Sequence, residues 1–221
     1  MYDIVFISYD ESSADANYAA LKTRFPMTKR VHGVKGIHQA HIAAAKKCFT
    51  KMFWIVDADA IIMDDFNFDY VVPNHQLDHV HVWRSQNPVN DLVYGYGGVK
   101  LFPRQMTIDM DTSKADMTTS ISPHFIAVEE IANITAFNTD AFSAWRSAFR
   151  ECAKLSSKTI SRQTNEETET RLNIWCTKGS ERRCGDFAIA GANAGREFGI
   201  SNMADISLIN NFEWLERQFN A

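Results

Sequence analysis

The chain has 221 residues, of which 45% are hydrophobic, 12% aromatic and 23% charged, a composition that excludes a disordered chain and fits one globular domain. A formal net charge of -4 gives no global attraction for a polyanion, so nucleic acid would have to be held by a local basic patch. Cys48, Cys152, Cys176 and Cys184 lack C-x-x-C spacing, which argues against a zinc cage or a disulfide framework and for reduced thiols in a cytoplasm. Met1-Tyr2-Asp3 leads into an apolar run with no basic segment or cleavage site, and no apolar stretch is long enough to span a bilayer. A cytoplasmic protein with no membrane partner is therefore expected.

Ile4 to Tyr9 is a short β-branched and aromatic run that predicts a strand, and Asp10-Glu11-Ser12-Ser13 follow as helix-capping residues. A helix is predicted from Ala14 to Phe25, stopped by Pro26, then a strand over Lys29 to Val34 beside the Gly33 turn. A second, alanine-rich helix runs from Ile37 to Phe49, and Met52 to Val56 reads as a strand buried on both faces. This alternation predicts an α/β fold of Rossmann-like type, with a mostly parallel central sheet flanked by helices. Further strands are expected at His79 to Trp83 and Gly98 to Phe102, separated by a loop from Arg84 to Asp91, with mixed directions. Ile131 to Asn138 supplies another strand, after which Thr139 caps a helix from Asp140 to about Leu155. Ser156 to Glu169 reads as a polar, mobile loop before order resumes at Arg171 to Cys176. A small-residue helix around Asp186 to Arg196 and an amphipathic tail from Ile206 to Phe219 complete the chain, with no internal repeat.

The chemistry concentrates at Asp57-Ala58-Asp59, directly after the most apolar strand. Ligands of open α/β sheets bind at the carboxyl ends of strands, and in an extended segment residues two apart share a face. Both carboxylates then converge on one hard cation, Mn2+ or Mg2+, which offsets the charge that develops on a departing diphosphate. Tyr94-Gly95-Tyr96-Gly97-Gly98 is the next informative stretch, since paired glycines permit close backbone approach to a ligand and tyrosines provide platforms for a sugar or base. Trp83, Arg84 and Asn87 lead into it as one wall of an acceptor pocket. Arg146, Arg150, Lys154, Lys158 and Arg162 recur every fourth residue, a basic stripe that reads either as a solvated helix face or as a track for a phosphate backbone.

The D-x-D triplet on its apolar strand, the β-loop-α start and the lack of a glycine-rich phosphate loop resemble the GT-A glycosyltransferases over roughly the first two thirds of the chain. The resemblance implies one GT-A domain over 1–221, with donor binding in about 1–105 and the acceptor part in about 106–221. It implies a UDP-sugar donor contacted by Ser8, Tyr9, Asp10 and Glu11, by Lys35 and Gln39, by Asp57, Ala58 and Asp59, and by Gly97 and Gly98. It also implies a carboxylate base if transfer inverts, for which Asp140 is the first candidate and Asp186 the second, as a base or a further metal ligand; Asp140 reads equally as a complement to a helix dipole.

Three longer stretches, Arg30 to His41, Asn90 to Gly98 and Ala136 to Asp140, are similar to the glycosyltransferases of T4-like phages that decorate 5-hydroxymethylcytosine, including the arabinosyl-transferring type. That similarity implies UDP-arabinose or UDP-glucose as donor and modified double-stranded DNA in a host cytoplasm as acceptor. Trp83, Tyr94, Tyr96, Arg146 and Arg150 would then hold an extruded base and its backbone. A saccharide or other small acceptor, and a non-catalytic nucleotide-binding module, are the alternatives.

Overall fold

The computed structural model describes residues 1–95, 97–114, 116–158 and 164–221. Among them the chain separates into two compact units, one of residues 1–86 with 93–135 and one of 87–92 with 136–221.

The first unit opens with the expected rhythm: β1 (Asp3–Ser8), α1 (Ala14–Arg24), β2 (Lys29–His32), α2 (Ile37–Lys46) and β3 (Met52–Asp57). It continues through β4 (Ala60–Ile62), β5 (Val80–Gln86), β6 (Val93–Tyr94), β7 (Val99–Pro103), the short helices α3 (Arg104–Ile108) and α4 (Met117–Ile121), and β8 (Phe125–Thr135). One mixed sheet results, in the order β2-β1-β3-β7-β5-β8-β4 with β6 paired to β5. β1 runs parallel to β2 and β3, and β5 parallel to β8, whereas β7, β4 and β6 run antiparallel to their neighbours.

Met52 to Val56 are fully buried because alternate side chains enter opposite layers. Met52, Trp54 and Val56 pack with Phe6, Trp83 and Leu101, and α1 adds Ala14 and Leu21 on that side. Phe53 and Ile55 pack with Val5, Val82 and Phe102, where α2 adds Ala44 and Ala45. The two crossovers leaving β1 and entering β3 therefore lie on opposite faces of the sheet.

The structure differs from the expected elements for identifiable reasons. α2 stops at Lys46 rather than Phe49, because the Asp3 carboxylate accepts the Phe49 and Thr50 N–H groups at 2.6 and 2.9 Å and turns the chain into β3. Burial opposes ionisation of Asp3, yet the Lys29 amine and those N–H groups outweigh it and hold its carboxyl down at about 2. The loop expected from Arg84 begins later, since β5 runs on to Gln86 beside β8. β8 starts at Phe125, six residues earlier than expected, because Glu129-Glu130 interrupt the apolar pattern where the β5–β8 register shifts.

In the second unit, α5 (Ala141–Ser156), α6 (Asn165–Thr177) and α7 (Gly185–Ser201) surround a core of Phe137, Ala148, Cys152, Leu172, Trp175 and Ala188, and α8 (Phe212–Phe219) sets Phe219 against Phe142 and Trp145 of α5. The polar stretch expected as a loop contains α6, opened by a capping box in which Thr164 and Glu167 satisfy each other's backbone N–H groups. Residues 159–163, including Arg162, lie outside the described residues. No helix among the described residues is long and apolar enough to cross a membrane.

α7 approaches α5 closely because Gly191, Gly195 and Gly199 carry no side chain. A Cβ on Gly195 would lie 2.2 Å from the Phe149 carbonyl oxygen. Gly195→Ala is expected to cost about 3 kcal/mol by forcing the two backbones apart, measured by urea unfolding. A loss below about 0.5 kcal/mol, the size of a neutral surface change, would show that the contact yields freely.

Candidate functional site

β1, β2 and β3 end at one edge of the sheet with Ser8, His32 and Asp57, where Ile7 pairs with Asp57 and Ser8 with His32. With crossovers on opposite faces, the edge between β1 and β3 is a topological switch point, the place where open α/β sheets bind ligands. α2 begins beside it at Gly36, where among the described residues no side-chain cap is made, an arrangement suited to an anion.

Asp57 is fixed by its neighbours. Its N–H donates to the Gly98 carbonyl at 3.0 Å, and its Oδ2 accepts the Lys100 Nζ at 2.6 Å. Ala58 turns into the apolar layer, and its carbonyl accepts Asn17 Nδ2 of α1 at 2.8 Å. Residues 58–59 form a turn between β3 and β4, so a turn, not strand alternation, brings the second carboxylate back toward the first. Burial pushes the Asp59 carboxyl up to about 7, the Asp57 and Glu11 carboxylates push it the same way, and Lys100 partly offsets them.

Such crowding of anions fits a cation. Among the described residues no group of three His, Cys, Asp or Glu forms a ready metal cluster. The protein would therefore supply Asp57 and Asp59 as hard oxygen ligands and leave the remaining positions to phosphate and water, the usual way magnesium-type ions are held.

The first loop is partly committed to the fold. The Ser8 hydroxyl accepts Arg30 Nε at 3.0 Å and lies 3.0 Å from His32 Nδ1, tying β1 to β2. Tyr9 is exposed, its N–H donating to Glu11 Oε2 at 2.8 Å, and Asp10 is exposed beside it. Lys35 and Gln39 are exposed in the turn after β2 and the first turn of α2. Gly97 has φ +113°, and a Cβ there would sit 3.0 Å from Lys100 Cε; a Cβ on Gly98 would sit 2.1 Å from Asn133 Nδ2. The glycine pair thus makes room for two protein side chains. Asn133 donates to Ser85 Oγ and Thr135 Oγ1, both at 3.0 Å, while its fully buried Oδ1 has no partner among the described residues.

Several of the residues expected around the acceptor are engaged in the packing of their own unit. Trp83 does not line a pocket: it is fully buried against Trp54, and its Nε1 donates to Glu130 Oε2 at 3.0 Å. Arg84 pairs with Glu129 at 3.2 Å, and Tyr94 is buried in β6. Tyr96 lies outside the described residues. Asn87 is buried, its Oδ1 accepting the Val89 N–H at 2.8 Å in a turn.

In the second unit, Arg146 lies over the Phe142 and Phe212 rings, while Arg150 donates to the Ile209 carbonyl and Asn210 Oδ1 at 2.9 and 3.0 Å. Lys154 pairs with Glu151 at 3.0 Å. These cations of the basic stripe serve the packing of their own unit. Asp186 is exposed in the first turn of α7.

Asp140, not Thr139, is the N-cap of α5, accepting the Ser143 N–H at 2.8 Å. Burial opposes its ionisation, but the Ser143 N–H, the Ser143 and Thr139 hydroxyls and Arg146 prevail, and its carboxyl lies below the ordinary value. The carboxylate is thus engaged as a helix cap. Asp140→Ala is expected to cost about 1 kcal/mol of stability through the lost cap. A loss below about 0.5 kcal/mol in urea unfolding would show that the helix does not depend on this cap.

Lys100 and His41 went unnoticed in the sequence, although a lysine inside Val99 to Phe102 and a histidine inside an alanine-rich helix are both out of pattern. His41 donates from Nδ1 to the Ile37 carbonyl, and its buried Nε2 has no partner among the described residues. Burial, with the Lys100 and His38 charges, pushes His41 down to about 3. A histidine near 6.5 when unfolded and about 3 when folded stabilises the protein fully above pH 6.5 and loses that contribution as pH falls. Lowering pH from 7.5 to 5 should therefore cost wild type about 2 kcal/mol more than His41→Gln in urea titrations. Parallel pH profiles would contradict a neutral, buried His41.

No family model matches the chain, and no curated protein matches it. Among solved structures it is similar to HddC from Yersinia pseudotuberculosis, at 13% identity over 60% of this chain and 92% of that one, with a TM-score of 0.37. It is also similar to the mannosyltransferase PcManGT from Pyrobaculum calidifontis in complex with GDP-Man and Mn2+, at 10% identity over 99% of this chain and 87% of that one, with a TM-score of 0.45.

Proposed function

We propose, first, that the chain is a metal-dependent enzyme that binds a nucleoside diphosphate at the carboxyl edge of its sheet. More particularly, we read it as a GT-A-like glycosyltransferase taking a nucleotide sugar as donor. The observation that carries this reading is the crowded carboxylate pair of Asp57, the last residue of β3, and Asp59, in the turn that follows it at the switch point, with Lys100 beside Asp57. Transfer breaks the bond between the anomeric carbon and the diphosphate, and a bound divalent ion would stabilise the charge left on that diphosphate. Tyr9 supplies an exposed ring for the base, and the open N-terminus of α2, with Lys35 and Gln39, supplies donors for phosphate and ribose.

For the acceptor base, Asp186 is preferred to Asp140, whose carboxylate is engaged as a helix cap. The finer reading, arabinose or glucose moved from a UDP-sugar to 5-hydroxymethylcytosine in phage DNA, is supported by the resemblance of Arg30 to His41, Asn90 to Gly98 and Ala136 to Asp140 alone. The packing of Arg146 and Arg150 within their own unit favours instead a saccharide or other small acceptor.

One experiment separates these readings: incubation with Mn2+, a panel of UDP- and GDP-sugars, DNA with and without hydroxymethylcytosine, and short oligosaccharides, followed by mass analysis. Mass added to the modified nucleoside supports the DNA acceptor. Transfer to oligosaccharide alone removes it, and binding of nucleotide without any transfer leaves a non-catalytic module.

A further inference from the structure

Lys100 is buried on β7, its side chain 9% exposed, and its Nζ lies 2.6 Å from Asp57 Oδ2. Its stem shares a sheet layer with Phe102 and Val82, and Gly97 admits its Cε at a distance that a Cβ would crowd. An ammonium at that depth is stable only beside an anion. A divalent ion taking Asp57 would remove that anion and set two positive charges side by side. A diphosphate relieves both penalties, because its oxygens accept from the lysine while neutralising the ion.

We propose that Lys100 is a positioning residue that occupies Asp57 as an internal counter-cation until a nucleoside diphosphate arrives, so that metal alone binds weakly and metal and nucleotide bind as a coupled pair. This rests on the reading of Asp57 and Asp59 as metal carboxylates, and it makes the site selective for the metal–nucleotide complex over free ion. It also gives the missing side chain at position 97 a role, since a Cβ there would sit 3.0 Å from Lys100 Cε and crowd the lysine.

Binding of Mn2+, followed by the loss of its free-ion spin-resonance signal with and without UDP or GDP, tests the proposal on wild type and Lys100→Met. In wild type the nucleotide should tighten Mn2+ by about tenfold or more. In Lys100→Met, Mn2+ alone should bind about fivefold tighter than in wild type, and the nucleotide's effect should shrink below about threefold. A lysine with a merely structural role would loosen the metal when removed, and that outcome, or unchanged affinity, overturns the proposal. Equal Mn2+ affinity with and without nucleotide in wild type overturns it whether or not the variant folds. Mn2+ binding to neither protein under any condition overturns the metal reading itself.

Discussion

Asp59→Asn is expected to lower sugar transfer about a thousandfold while making the metal-free protein more stable, the signature of a residue kept for chemistry. Burial and the neighbouring carboxylates push the folded carboxyl up to about 7 from an ordinary 3.8, so folding favours its protonated form. The sign follows from linkage: a raised carboxyl holds extra protons in the folded state, and stability falls as pH rises from 3.8 toward 7. At pH 8, without metal, the amide should therefore add on the order of 2–4 kcal/mol in urea unfolding, with a flatter pH profile. A divalent ion reverses the preference by favouring the carboxylate. Metal affinity in wild type should thus rise with pH through about 7 and release a proton. Equal stability of variant and wild type at pH 8 would mean that Asp59 carries no such strain.

Asp57→Ala is expected to abolish transfer as well, but with the opposite effect on stability. Removing this carboxylate leaves the Lys100 ammonium buried without the anion 2.6 Å away. Stranding one partner of a largely buried pair costs about 3–5 kcal/mol, discounted here toward 3 because Asp57 is one-third exposed. The double variant Asp57→Ala with Lys100→Met should recover most of that loss, since it removes the stranded charge together with its partner. Thermal and urea unfolding of the four proteins closes the cycle. Additive losses would show that the two side chains do not depend on each other.

The contrast between the two aspartates explains what was readable in the chain. The apolar run Met52 to Val56 announces a strand buried on both faces, and the D-x-D after it announces chemistry at the sheet edge. The first three strands and first two helices were legible for the same reason, since each carries its own local pattern. Lys100 was not legible as Asp57's partner, because that contact depends on the antiparallel register that sets Ile55 opposite Lys100. Long-range pairing has no local signature. Gly97 and Gly98 read as an opening for a ligand, yet the same glycines serve equally to admit Lys100 and Asn133. Trp83 looked like a pocket wall because an aromatic next to a polar loop looks the same in sequence whether its ring faces solvent or Trp54. The polar stretch before Arg171 hid a helix whose stability begins with the Thr164–Glu167 capping box, a signal outweighed by charge density.

The most direct test of the central claim is equilibrium binding of nucleotide sugars, UDP- and GDP-linked, to wild type and Asp59→Asn with Mn2+ or with EDTA. The account predicts binding to wild type with Mn2+ that falls at least about tenfold in EDTA and is lost to a similar degree in Asp59→Asn at any metal concentration. Binding that is equally tight in EDTA, or unchanged in Asp59→Asn, would contradict a metal and diphosphate site at Asp57 and Asp59.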